Sequence, residues 1–231
     1  MSIFNRCFRD LPYFTYIFLL IQSIVFLMMQ ISPTGSMSIK TIITFGGLYH
    51  SYITQLHEYW RLLTPIFVHI GFYHFLFNSF VLFFLGEQVE NLYGHIRFGL
   101  IYLLSGVSGN ILSFSLHNES VSAGASTSIF GMFGAFIILK HYFPHNQILS
   151  TLAKQYTFLV TLNLIFNLFD SSTDLWGHIG GFIGGILTGI AFAVPKQAKF
   201  YQINERIIAG LFFIILFAAF LILGFAKVHI F

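Results

Sequence analysis

Charged residues are so sparse along this chain that the gaps between them are long enough to cross a bilayer. A membrane-crossing helix needs about 20 apolar residues. Asp, Glu, Lys and Arg make up 8% of the 231 residues, against about 25% in soluble domains. The charge-free intervals therefore set the topology. Between Asp10 and Lys40 lies a first span at 11–31, closed by Ser32-Pro33-Thr34-Gly35. The interval from Arg61 to Glu87 holds a second, Arg97 to Glu119 a third, and Glu119 to Lys140 a fourth. Spans at 148–169, 175–194 and 207–226 complete seven. An all-α polytopic membrane protein is predicted.

The first apolar run lacks a small-residue cleavage site, so it reads as a retained span. One cysteine, Cys7, excludes an intramolecular disulfide. There is no low-complexity tract and no second soluble domain to assign. The net charge of +3 needs no nucleic acid to account for it, because the cations follow the spans. With the N-terminus inside, Arg6, Arg9, Arg97, Lys140, Lys154, Lys196, Lys199 and Arg206 fall on the inner side, and Lys40, Arg61 and Lys227 on the outer. Eight against three predicts a cytoplasmic N-terminus and an outer C-terminus. Spans 2, 4 and 6 then all descend from the outer face.

The first outer segment is too long for a plain connector, and its last part is broken by Pro65 and Gly71. It is predicted to lie partly in the outer leaflet, with Tyr59, Trp60 and Arg61 at headgroup level and His69 as an interfacial loop residue. Glu87 and Glu90 are expected as exposed carboxylates at the inner end of span 2.

Polar side chains within the spans are costly and therefore informative. Span 4 opens Ser122-Ala123-Gly124-Ala125-Ser126-Thr127-Ser128, a hydroxyl cluster set in glycine and alanine. Small residues permit close helix approach and also leave room for a substrate carbonyl beside a serine nucleophile. Span 2 carries His74 and Asn78, four apart and so on one face. Span 3 carries Ser105, Gly106, Ser108, Gly109 and Asn110, read mainly as packing. In span 6, Gly177, Gly181, Gly185 and Gly189 form one glycine face, with His178 beside it. Spans 5 and 7 look nearly featureless.

Depth ties these groups together. Ser126 is placed about four residues into span 4 and His178 about three into span 6, which is about 5 Å below the outer boundary at 1.5 Å per residue. His74 and Asn78 occupy the first two turns of span 2. A serine, an imidazole and two side-chain donors share one outer layer, an inventory suited to acyl transfer. His178 is the available base for Ser126. His74, Asn78 and the Ser126 backbone N–H are candidate donors to the oxyanion, each worth about 2.7–4 kcal/mol. Asp170, Asp174 and Glu119 are assigned to outer loops, so a Ser–His dyad is expected, with His178 oriented by packing and Phe130 stacked on the ring.

At this point the chain resembles the rhomboid family of intramembrane serine proteases. The residues that carry the resemblance are Trp60-Arg61, His74-x3-Asn78, Gly124-x-Ser126 and His178-x2-Gly181, in that order. It implies a rhomboid-like six-helix bundle with one additional C-terminal transmembrane helix, divided into a cytoplasmic N-terminus at 1–10, a core at 11–194, and an inner loop plus seventh span at 195–231. It also implies an endopeptidase in which Ser126 is the nucleophile, His178 the base, His74 and Asn78 oxyanion residues, and Gly181 a close-packing glycine. The implied partners are single-span or polytopic membrane protein substrates and the lipid bilayer, in a bacterial cell membrane, with the site open to the outer face. Thr127 departs from the family's Gly-x-Ser-Gly pattern and is expected to narrow the approach to the nucleophile. A non-cutting adaptor that binds client spans is the alternative, and it predicts loss of Ser126 or His178. A channel or transporter would want polar groups through the whole membrane. No metal or other cofactor is implied, since His74 and His178 lack a third ligand, and no glycine run reads as a nucleotide loop.

Overall fold

The computed structural model describes residues 11–116, 121–170 and 173–227. Cys7, Arg6, Arg9, Asp10 and Glu119 lie outside them. Seven principal helices form where apolar runs are uninterrupted by proline: α1 (Tyr13–Ile31), α2 (Gly71–Tyr93), α3 (His95–Leu116), α4 (Ser126–Ile137), α5 (Gln147–Phe169), α6 (Leu175–Phe192) and α7 (Ile203–Ala226). Extended pairing among the described residues is confined to an isolated bridge between Leu48 and Ser122. Side-chain caps start three of the helices. Asn146 accepts from the Leu149 N–H and Asp174 from the Gly177 N–H, while Gln202 and Glu205 form a capping box.

Five of the seven, α1, α3, α5, α6 and α7, are long and apolar enough to cross a membrane, which makes this a multi-pass membrane protein. In α2 the polar residues His74, Asn78, Ser79, Glu87 and Gln88 dilute the hydropathy, and α4 is only 12 residues long.

Helix α6 sits between α3 and α4, and glycine on two of its faces makes that possible. A Cβ on Gly181 or Gly185 would collide with the backbone carbonyls of Thr127 and Gly131 in α4. On the other side, a Cβ on Gly180 would lie 2.7 Å from Leu112 Cβ, and one on Gly184 would collide with Ser108. The expected glycine face meets α4 at Gly181, Gly185 and Gly189, and Gly180 and Gly184 add a second face against α3. Without apolar driving force between helices in lipid, such backbone-to-backbone contact is how they hold together. Polar side chains of α3 finish the contact: Ser108 Oγ donates to the Ser105 carbonyl at 2.8 Å and to Gly180 at 3.1 Å.

Two charged residues are buried by the fold. Arg61 is 5% exposed. Its guanidinium donates to the Ile43 and Gly47 carbonyls at 2.7 and 2.9 Å and pairs with Glu58, gathering the first outer loop around one fork of donors. Trp60 beside it is 55% exposed. Glu90 is 1% exposed rather than solvated, because it caps the first turn of α1.

Candidate active site

The chain reaches Ser126 through the segment 121–125, whose backbone is pinned by the loop between α1 and α2. Leu48 and Ser122 exchange N–H···O bonds of 2.7 and 3.0 Å, the Gly124 N–H donates to the Pro65 carbonyl at 2.9 Å, and the Ala125 N–H donates to His69 Nε2 at 3.3 Å. His69 is thus a fully buried loop residue. Ser126 is the first residue of α4 rather than a turn within it, so its N–H belongs to the helix's unsatisfied N-terminal donors.

Gly124 has φ +139°, where side chains are strained, and a Cβ there would lie 2.6 Å from His74 Cε1 and 2.8 Å from His74 Nε2. The missing side chain lets the His74 ring approach the serine strand. Asn78, one turn on, donates from Nδ2 to the His74 carbonyl at 2.8 Å, which leaves its second N–H free to point elsewhere.

On α6, His178 Nε2 lies 2.9 Å from Ser126 Oγ. Its ring stacks on Phe130 with centroids 4.3 Å apart and planes 8° apart. The register between the two elements is held by Asp174, which accepts from the Gly177 N–H at 2.8 Å and from Ser122 Oγ at 2.7 Å. The expected outer-loop carboxylate is therefore a clamp between the start of α6 and the strand that delivers Ser126. Ser128, also in the hydroxyl cluster, is buried with its Oγ against Gly106 of α3. Thr127 is buried too, and a Cβ on Gly109 of α3 would meet its Cβ at 2.8 Å.

Ser126, His178, His74, Asn78, Gly124 and Phe130 line one cavity of about 650 Å³, walled by Phe77, Val81, Phe133 and Leu159 from α2, α4 and α5. Gly181 stands behind it in the α4–α6 contact. Trp60 and Arg61 are not among its lining residues, and Arg61 is engaged by the carbonyls of Ile43 and Gly47 instead. The geometry suits a hydroxyl attack on a carbonyl bound in an apolar cleft.

Helix α5 was expected to be featureless, yet it supplies a polar contact to the imidazole. The side chain of Asn167, which is buried, lies with Nδ2 2.5 Å from His178 Nδ1. Asn163 lies one turn earlier in the same cavity wall. Two amides four residues apart near the C-terminal end of an apolar helix were the available signal.

Comparison with known proteins follows the same line. A family model described as the rhomboid domain matches residues 56–195. The chain is 38% identical over 213 residues to "Rhomboid protease GluP" of Bacillus subtilis, covering 92% of this chain and 41% of that protein. It is 32% identical over 204 residues to "RHOMBOID-like protein 1" of Arabidopsis thaliana, covering 87% and 51%. Identity to "Rhomboid-like protease 1" of Toxoplasma gondii is 33% over 156 residues, covering 65% and 53%. The chain thus spans about half the length of these relatives. The chain belongs to the rhomboid family.

Proposed function

We propose that this chain is an intramembrane serine endopeptidase that cuts transmembrane or membrane-adjacent segments of other membrane proteins. The observation that carries the reading is the 2.9 Å approach of His178 Nε2 to Ser126 Oγ on the wall of a mostly apolar cavity. In this mechanism Ser126 Oγ attacks the scissile carbonyl carbon while its proton passes to His178 Nε2. The charge that develops on the carbonyl oxygen meets the Ser126 N–H at the start of α4, with His74 and the free N–H of Asn78 as further donors. Collapse of the intermediate breaks the C–N bond, and the imidazolium returns its proton to the leaving amine. Water then hydrolyses the acyl-serine by the same path.

The reading includes a six-helix core over 11–194 with α7 as an additional seventh span. The N-terminal side is cytoplasmic and the cavity opens to the outer face, supported by the eight-to-three division of Lys and Arg. A scissile amide must leave its helix to reach Ser126, so substrates with a Gly, Pro or polar residue near the cut are favoured.

The test is cleavage of a membrane-anchored reporter by the purified protein in liposomes, beside Ser126→Ala and His178→Ala. Cleavage that both substitutions abolish is the expected result. Cleavage that survives Ser126→Ala would move the nucleophile elsewhere. Failure of every version against several reporters would favour a non-cutting adaptor for client spans.

A further inference from the structure

We propose that Asn167 is the positioning residue for His178, holding the imidazole in the one tautomer that can accept the Ser126 proton. The inference rests on the serine-protease reading above. A neutral imidazole carries one proton, shared between two distinct nitrogens. His178 Nε2 faces Ser126 Oγ at 2.9 Å, and Nδ1 faces the Asn167 amide at 2.5 Å. With Nδ2 toward the ring, the amide donates to Nδ1. The proton then sits on Nε2, which can only donate to Ser126, and the pair has no base. Turning the amide by 180° exchanges its oxygen and nitrogen within the same volume. Asn167 Oδ1 then accepts from Nδ1–H, and Nε2 is left with a lone pair directed at the serine hydroxyl. Of the two orientations, only the second yields a working base, and it is the one assigned here.

The residue type fits the place. Asn167 and His178 are both buried, and in a bilayer a carboxylate at that position would carry a desolvation cost that a neutral amide avoids. The nearby carboxylate, Asp174, is already engaged by the Gly177 N–H and the Ser122 hydroxyl. Phe130 fixes the plane of the ring by stacking, which leaves rotation within that plane and the choice of tautomer open. A hydrogen bond at Nδ1 settles both. The contact also links α5 to α6, so the ring is oriented only while α5 is packed against the site.

The experiment compares wild type, Asn167→Leu and Asn167→Asp in liposomes. Leucine keeps the volume without hydrogen bonding, and aspartate offers an acceptor oxygen in either protonation state. Three quantities are read: kcat and KM on a membrane-anchored reporter, the rate at which a fluorophosphonate labels Ser126, and the thermal midpoint. Asn167→Leu should lower kcat by about tenfold to a hundredfold, the range for partners that orient a metal-bound imidazole. KM should be unchanged, labelling should slow in proportion, and Asn167→Asp should recover most of both. Wild-type kcat and labelling in Asn167→Leu would overturn the assignment and leave the protease reading standing. Equal loss in Asn167→Asp and Asn167→Leu would overturn it as well, since a merely structural contact would then suffice. A wild type that neither cuts nor labels at Ser126 would defeat the protease reading and this inference with it.

Discussion

Glu90, near the C-terminal end of α2, receives the first turn of α1 through Thr15, whose N–H and hydroxyl donate to Oε2 at 2.8 and 2.7 Å. The Phe14 N–H donates to Oε1 at 2.9 Å, and His95 Nδ1 lies 2.6 Å from the same oxygen. Residues 75 apart thus supply a cap that α1 lacks in its own sequence, where Pro12 occupies the N-cap position. An acidic group at a helix N-terminus also favours the helix dipole.

Glu90→Ala should therefore cost about 2–3 kcal/mol, the range for hydrogen bonds to a charged group whose partners are left buried. Glu90→Gln should retain part of it. Thermal unfolding of the purified protein in detergent reads this directly, and an unchanged midpoint for Glu90→Ala would show that the α1 cap is dispensable.

The α4–α6 contact predicts a graded glycine series. Gly181→Ala and Gly185→Ala each press a methyl into a backbone carbonyl that cannot yield without moving the helix, so α4 and α6 must separate. Ser126 and His178 ride on those two helices, and cleavage should be lost in both variants. Gly210→Ala, where the nearest atom is Ala191 Cβ at 3.9 Å, should keep wild-type activity. Equal activity across the series would remove close packing as the source of the dyad's geometry.

Gly124→Ala should impair cleavage for a different reason. Its backbone stands at φ +139°, so a side chain brings about 1–3 kcal/mol of strain and also displaces His74 from the serine strand. The expected signature is reduced kcat together with a lowered thermal midpoint, since the strain falls on the folded state alone. Undiminished kcat would show that the approach of His74 to this strand is irrelevant to turnover.

Thr127 offers a test of packing against access. Its hydroxyl is buried without a hydrogen-bond partner among the described residues, and its Cβ faces Gly109 of α3. Thr127→Val should be neutral or stabilising, because a buried unpaired hydroxyl is a cost. Thr127→Gly should destabilise, by about 0.3–0.5 kcal/mol through helix propensity and further through the lost contact of its buried side chain with α3. If Thr127→Gly instead raised kcat/KM with no loss of stability, the side chain would be restricting substrate entry.

What could be read from the linear order of residues was whatever depends on local hydrophobicity and on small residues at helical spacing. The expected limits of spans 1, 5, 6 and 7 lie within a few residues of α1, α5, α6 and α7, since the cost of placing charge in lipid leaves few places for a helix to stop. The depth argument likewise drew attention to Ser126, His178, His74 and Asn78, which the fold brings to one cavity. Their spacing places them at comparable heights because the three helices enter from the same side.

Partner choice was not legible, because a polar side chain's hydrogen bonds depend on which helices become neighbours, and no periodicity encodes that. Glu90 read as a solvated carboxylate until α1 was laid over it, and the partners of Arg61 were invisible until the loop between α1 and α2 folded around its guanidinium. Helix α5 looked featureless because Asn167 gains its meaning only from the His178 ring beside it. Ser126 moved to the first position of α4 for the same reason. The residues before it pair with the outer loop through backbone groups that every residue carries, and side-chain identity gives no sign of such pairing. The sequence by itself determined where helices could form. Tertiary packing alone decided which groups touch, because hydrogen bonds are short-ranged and their partners here stand as many as 105 residues apart.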